Sequence, residues 1–173
     1  MIWKIKVWLL RLGEYFTRLP FRLFQFFQWL LWLDHPQGRH QVARWSVGLF
    51  LKAIDLTPVP WIIEIFLDLA KWNTRGLNAN QKGVIAAFFR GAINPEFIGL
   101  DSKSWFARKG RASAFVTLHT INFYGTLPDS VLIHEAVHIW QYRHHGSLYI
   151  TEALYAQHGG GGYDYGGIPA LNR

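Results

Sequence analysis

The sequence predicts an α+β fold whose N-terminal half is mostly helical. Apolar residues recur at helical spacing through most of the first 100 residues, β-branched and aromatic residues dominate the next stretch, and helical spacing then returns. The chain has 173 residues, of which 50% are hydrophobic, enough for one sizeable core. We therefore expect a single domain over 1–173. It would comprise a basic amphipathic helical segment (1–33), a helical region (34–100), and a final region (101–173) with a short antiparallel sheet, two helices and a glycine-rich tail.

The N-terminal segment 1–33 mixes cations with apolar residues. Trp, Leu and Phe alternate with Lys4, Lys6, Arg11, Arg18 and Arg22. Pro20 is predicted to divide the segment into two helices, because proline cannot continue the helical hydrogen bonds. The uncharged run 23–33 is shorter than the roughly 20 apolar residues that cross a bilayer, and no secretory cleavage pattern follows it. A cytoplasmic or peripheral-membrane location is expected, with an anionic membrane surface or another protein as partner.

Charge and cysteine content restrict the partners and the metal ligands. A formal net charge of +7 favours anionic partners. Nucleic acid is not favoured among them, because the cations form no basic stripe with stacking aromatic residues. The chain has no cysteine, which excludes disulfides and thiolate metal ligands. Any metal ion would therefore be bound by nitrogen and oxygen atoms.

Three helices are predicted between the N-terminal segment and the sheet. Helices over 39–56 and 60–72 are separated by the prolines of TPVP, and a third begins after Asn78, a favourable N-cap residue. Glu64 and Asp68 are one helical turn apart and share a face with neighbouring charge. We interpret that face as solvent-exposed rather than as a catalytic carboxylate pair.

The predicted sheet lies in SWFARKGRASAFVTLHTINFYG, residues 104–125. This stretch is rich in β-branched and aromatic residues, contains a predicted turn at Lys109–Gly110, and alternates its sides from Phe115 to Phe123. A hairpin or a short antiparallel sheet is the expected structure.

The stretch VLIHEAVHIWQYRHH, residues 131–145, carries the residues with metal chemistry. His134 and His138 are four residues apart, so on a helix they lie one turn apart on one face and can bind one metal ion. Glu135 lies about 100° round the helix, where it can act as a general base on a water molecule without binding the metal. The other residues from 131 to 140 are uncharged, which indicates a helix packed into the core.

This stretch resembles the signature of a known enzyme family. VLIHEAVHIW resembles the HExxH signature of zincin metallopeptidases, and HEAVHIWQ, which ends at Gln141, resembles the short metallopeptidase domain associated with bacterial contractile injection systems. The resemblance covers residues 118–157. It implies a Zn²⁺ cofactor, a peptide or protein substrate, a zincin-like core over 101–173, and a substrate-pairing strand before the site helix, here Phe115 to Tyr124.

The same resemblance suggests the third zinc ligand. Glu152 stands in YITEALYA, which is similar to the E-A-x-x-A pattern by which gluzincins supply a glutamate from the next helix. For Glu152 to reach the metal, the chain must turn tightly between His145 and Ser147. Gly146 permits such a turn, because glycine adopts positive φ without steric cost.

Other residues compete for this role. His144 has the metzincin spacing after HExxH, but Gln141 stands where metzincins have the glycine that turns the chain back, so the helix is expected to carry His144 out of reach. The remaining candidates are His158 and Asp164 as ligands, and Tyr155 and Tyr163 as stabilisers of an oxyanion.

The sequence therefore predicts a zinc-dependent metallohydrolase. Peptide hydrolysis by a water molecule that Glu135 deprotonates is the expected reaction. The alternative is a membrane- or partner-docking protein with a structural or latent zinc site, which the basic, tryptophan-rich segment 1–33 suggests.

Overall fold

The structure, a computed structural model, describes residues 2–31, 39–109 and 114–150. It is mostly helical with a small mixed four-stranded sheet, which confirms the predicted α+β class. In chain order the elements are α1 (Ile2–Leu30), α2 (Arg39–Asp55), α3 (Val59–Ala70), β1 (Arg75–Gly76), α4 (Ala79–Phe89), a 3-10 turn (Pro95–Phe97), β2 (Gly99–Asp101), α5 (Trp105–Lys109), β3 (Ala114–Thr117), β4 (Thr120–Phe123) and α6 (Asp129–His145).

The strands are arranged in the order β1-β2-β4-β3. β3 and β4 form the predicted antiparallel hairpin, and β1 is also antiparallel to β2. β2 and β4 are parallel, so the sheet is mixed rather than purely antiparallel. β3 lies at the edge, beyond β4.

The alternation from Phe115 to Phe123 spans two strands rather than one. The chain reverses at Leu118 and His119, and Leu118 adopts a φ of 56°. The two-residue connection exchanges the faces: Phe115 and Thr117 pair with Asn122 and Thr120, whereas Ile121 and Phe123 lie on the core face. The odd-numbered residues therefore share one face within each strand but not across the turn. Of the turn predicted at Lys109–Gly110, Lys109 is the last residue of α5, and Gly110 lies outside the described residues.

The predicted break at Pro20 is wrong. α1 runs without interruption from Ile2 to Leu30 and contains Pro20. Proline removes the hydrogen bond that the carbonyl of Phe16 would accept, but both residues lie on the exposed side of the helix, where water can replace it. Within the described residues, no helix is long and apolar enough to cross a membrane.

One face of the sheet carries the hydrophobic core. α4 and α6 pack on this face, and fully buried residues of these helices meet the inward residues of β2, β3 and β4. The members of this core are Leu77, Ile85, Ile93, Ile98, Leu100, Ala114, Ile121, Phe123, Leu132, Ala136 and Ile139. The core therefore fixes α6 against the sheet.

The opposite face of the sheet is polar and is covered by α1 and α3. Arg11 of α1 is 3% exposed, and its Nη1 lies 3.1 Å from Asp68 Oδ2 and 3.2 Å from Glu64 Oε1 of α3. Its Nε and Nη2 donate to the carbonyl oxygen of Phe97 at 3.1 and 2.7 Å. All three helical side chains are thus paired inside the protein.

The solvent-exposed face predicted for α3 is therefore wrong. Glu64 and Asp68 do share a face, but they are only 4% and 1% exposed. Glu64 also accepts hydrogen bonds from the backbone N and the Nδ1 of His119, at 2.9 and 3.0 Å. Burial would raise the pKa of Glu64, but Arg11 and His119 outweigh it and lower that pKa to about 2.

Replacing Arg11 tests whether this buried ion cluster stabilises the fold. Arg11→Met keeps an apolar stem but leaves Glu64 and Asp68 without their shared cation, and such a loss costs about 3–5 kcal/mol. We expect urea denaturation to show a decrease of that size in the free energy of unfolding. The control Lys6→Met, at a side chain that is 64% exposed, should change it by less than about 0.5 kcal/mol. Equal effects would contradict the role given to Arg11.

Candidate metal centre

α6 presents the motif residues from a fixed position. The helix begins after Pro128, has Asp129 in its first turn, and ends at His145, with Gly146 as its C-cap residue. Leu132, Ala136 and Ile139 bury one side of it in the core. The histidines are left on a neighbouring side of the helix, next to the core rather than within it.

The two motif histidines lie side by side. The ring centroids of His134 and His138 are 5.0 Å apart, with an interplanar angle of 86°. His134 is exposed and His138 is half-buried, so a ligand can approach them from solvent. Partial desolvation of its ring lowers the pKa of His134, and the neighbouring His138 lowers it further. Both effects favour the neutral imidazole, which is the form that binds metal ions.

Gln141 orients the ring of His138. The Nδ1 of His138 lies 2.8 Å from the Oε1 of Gln141. An amide oxygen only accepts hydrogen bonds, so Nδ1 carries the proton and Nε2 presents its lone pair. Metal-binding histidines commonly donate their second N–H in this way, and the partner keeps the ring in place. Gln141 stands three residues after His138, a spacing at which side chains on a helix meet, so this contact was predictable from the sequence but was missed.

Glu135 occupies the side between the histidines and the core. It is 6% exposed. Burial raises the pKa of Glu135, and His138 partly offsets that effect. A raised pKa makes the Glu135 carboxylate a stronger proton acceptor, as a general base requires.

The tight turn predicted after α6 is confirmed. Gly146 adopts a φ of 68°, and its N–H donates to the carbonyl oxygen of Tyr142. Asp55, the last residue of α2, holds the turn: it accepts hydrogen bonds from the backbone N and the Oγ of Ser147, at 2.7 and 2.6 Å. Asp55 was not predicted, because it lies 92 residues earlier in the chain and no local pattern links it to this turn.

After this turn the chain passes beside the histidines. The ring of Tyr149 stacks on that of His138, with centroids 6.1 Å apart and an interplanar angle of 30°. Residues 148–150 have helical backbone, as expected at the start of the second helix. The predicted ligand Glu152, its alternatives His158 and Asp164, and the tyrosines Tyr155 and Tyr163 lie outside the described residues.

His144 lies on a different side of α6. The helix continues to His145 without a turn at Gln141, which puts His144 about 120° round the axis from His138. The Nδ1 of His144 lies 2.8 Å from the carbonyl oxygen of Trp140, and the two rings stack with centroids 4.2 Å apart. His144 therefore packs on Trp140.

The described residues bring together two side chains with metal-ligand chemistry. His134 and His138 offer two imidazole nitrogens, of which one is oriented by Gln141, and this donor chemistry fits Zn²⁺. Within residues 2–31, 39–109 and 114–150 no group of three His, Cys, Asp or Glu side chains could hold a metal ion. A catalytic zinc ion needs three protein ligands, so the third would come from outside these ranges.

Comparisons of the chain with protein-family models, with curated proteins and with solved structures found no match.

Substitution of Gly146 tests the turn that follows the site helix. A Cβ at this position would collide with the carboxylate of Asp55, and positive φ is itself unfavourable for alanine. We expect Gly146→Ala to lower the free energy of unfolding by about 1–3 kcal/mol in urea denaturation. Gly83→Ala in α4 is the matched control, since no atom lies within 4 Å of its added Cβ. It should raise stability by up to about 1 kcal/mol; destabilisation by both would argue against a specific clash with Asp55.

Proposed function

We propose that this protein is a zinc-dependent metallohydrolase, and more specifically a peptidase. The observation that carries the proposal is the pairing of His134 and His138 on one side of α6, with the Nε2 of His138 left available by the hydrogen bond to Gln141. Glu135 is the neighbouring carboxylate that a hydrolytic site requires.

His134, His138 and Glu152 would hold the zinc ion. The turn at Gly146 and the stacking of Tyr149 on His138 support Glu152, because they direct the chain past the histidines three residues before it. When bound, a zinc ion supplies Lewis-acid polarisation of a carbonyl group and acidifies a water molecule. The hydrogen bond from His138 to Gln141 keeps one ligand oriented for that role.

Glu135 would move the proton in the reaction. Its carboxylate takes a proton from water, the water oxygen forms a bond to the amide carbon, and the C–N bond breaks as the proton passes to the leaving nitrogen. The products are a carboxylic acid and an amine, so atoms and charges balance. Tyr155 or Tyr163 would donate a hydrogen bond to the carbonyl oxygen as its negative charge develops.

The sheet edge offers a place for an extended substrate. The substrate-pairing strand expected over 115–124 is a hairpin, of which β3 lies at the edge. In the described part of the chain β4 is the one strand that pairs with β3, so the other side of β3 could bind an extended peptide by backbone hydrogen bonds. α6 packs against β3, which keeps that edge and the site helix in one unit.

Replacement of the general base separates catalysis from metal binding. Glu135→Gln keeps the size of the side chain but removes its ability to take a proton. We expect kcat for peptide cleavage to fall by a factor of about 10²–10⁴, with zinc content by elemental analysis unchanged. His138→Ala and Glu152→Ala should each lose stoichiometric zinc. Full peptidase activity of Glu135→Gln at equal zinc content would refute the mechanism.

Replacement of Gln141 tests the orientation of His138. Without its hydrogen-bond partner the imidazole is less well fixed, and such losses typically weaken metal binding by about 10–100-fold. Competition with a chromophoric chelator should show this weakening for Gln141→Ala, whereas Gln141→Glu, which retains an acceptor, should bind zinc nearly as well as the unmodified protein. Gln28→Ala, at an exposed position of α1, is the control and should have no effect.

A further inference from the structure

α3 has its polar and apolar sides reversed relative to an ordinary surface helix. Its charged residues Glu64 and Asp68 point inward and pair with Arg11. Ile62, Phe66 and Leu69 lie on the opposite side and are 40%, 68% and 60% exposed. A surface helix in water normally buries its apolar side and exposes its charges, so this arrangement indicates an apolar partner.

α1 shows the same reversal next to α3. Arg11 is buried on its inner side, whereas Leu9 and Phe16, on the opposite side, are 62% and 61% exposed. The two helices are in contact: the Nε1 of Trp61 donates to the carbonyl oxygen of Trp8 at 2.9 Å. Their exposed residues therefore belong to one surface. We call it the outer apolar face and define it by Leu9, Phe16, Ile62, Ile63, Phe66 and Leu69.

The charges of the described residues are distributed unevenly between inside and outside. Most carboxylates of the described residues are buried. Glu96 and Asp129 are the two described residues whose carboxylate side chains are not buried. The buried carboxylates are Glu14, Asp55, Glu64, Asp68, Asp101 and Glu135. Exposed cations include Lys6, Arg75, Arg90, Lys103 and Arg108. The surface is thus strongly cationic, in line with the formal net charge of +7, and attracts an anionic partner.

The end of α3 has a feature typical of the boundary between lipid and water. Trp72 follows the helix, is 82% exposed, and lies under the Nζ of Lys103, which is 5.3 Å from its ring centroid. Tryptophan is enriched at lipid headgroups because its ring is apolar and its N–H is polar.

A second copy of the chain is a less favourable partner for this surface. It would bring two strongly cationic surfaces together, which charge repulsion disfavours.

We propose that the outer apolar face of α1 and α3 docks on an anionic lipid bilayer, with both helices in the plane of the membrane surface. α3 has 12 residues and is about 18 Å long, well short of the hydrocarbon thickness of about 30 Å. The apolar side chains enter the headgroup region, Lys103 beside Trp72 meets anionic phosphates, and the buried ion cluster of Arg11 stays inside the protein. This function does not depend on the metal centre.

Liposome flotation of the full-length protein tests the proposal. Vesicles of phosphatidylcholine with about a third phosphatidylserine are compared with vesicles of phosphatidylcholine alone. The protein should float with the anionic vesicles, at least about tenfold more strongly than with the neutral ones, and added salt should reduce this binding. Protein that fails to float with anionic vesicles would refute the proposal.

Two variants locate the binding surface. Phe66→Gln combined with Leu69→Gln removes apolar area from exposed positions, so folding should persist by circular dichroism while partitioning falls at least about tenfold. Phe88→Gln, on α4 at 58% exposure, is the matched control and should float normally. Equal flotation of all three proteins would overturn the assignment to this face. A dimer that the double substitution dissociates would also overturn it, because the face would then join two copies.

A third variant separates this proposal from the proposed function. His134→Ala combined with His138→Ala removes the two histidine donors of the metal centre but leaves α1 and α3 unchanged. It should float as the unmodified protein does, whether or not the protein proves to be a hydrolase. Loss of flotation in this variant would contradict a docking surface that is independent of the metal centre.

Discussion

The buried guanidinium of Arg11 is the interaction on which the arrangement of the N-terminal helices depends. An isolated buried cation is costly, and its cost is offset only when its donors are all paired with good geometry. Two carboxylates of α3 and the carbonyl oxygen of Phe97 provide that pairing. The constraint turns the charged side of α3 toward the sheet, and the apolar side of the same helix must then face outward.

A second set of polar contacts connects this helical layer with the site helix. The Nε of Arg143, near the end of α6, donates to Glu14 of α1, and the Nη1 of Arg18 donates to the carbonyl oxygen of Arg143 at 2.7 Å. At the following turn, Asp55 of α2 binds Ser147. The end of α6 is therefore fixed by α1 and α2, while its middle is fixed by the hydrophobic core. Metal sites bind tightly when their ligands stand on such well-supported elements.

The sheet separates the two surfaces to which we assign functions. α4 and α6 pack on its apolar face, whereas α1 and α3 cover its polar face. The candidate metal centre belongs to α6, and the outer apolar face belongs to α1 and α3. Since no residue is shared between them, substitutions in one can be made without changing the other, and a hydrolase held at a lipid surface would keep its metal centre on a separate helix.

Local patterns in the sequence determined several features of this protein. Four-residue spacing put His134 and His138 on one side of a helix, and the backbone freedom of glycine allowed the turn at Gly146. Asn78 caps α4 as its side-chain chemistry suggests, accepting a hydrogen bond from the backbone N of Gln81 at 2.9 Å. These features depend on residues a few positions apart, so periodicity and local hydrogen bonding were enough to predict them.

The tertiary structure decided the features that need distant partners. Periodicity showed that Glu64 and Asp68 share a side of α3, but Arg11, more than 50 residues earlier, determined that this side points inward. Packing likewise keeps α1 continuous through Pro20 and brings Asp55 to the turn after the site helix. The reason is physical: a repeating pattern sets the angles between side chains around one helix, whereas the direction that each side faces depends on which other parts of the chain pack against it.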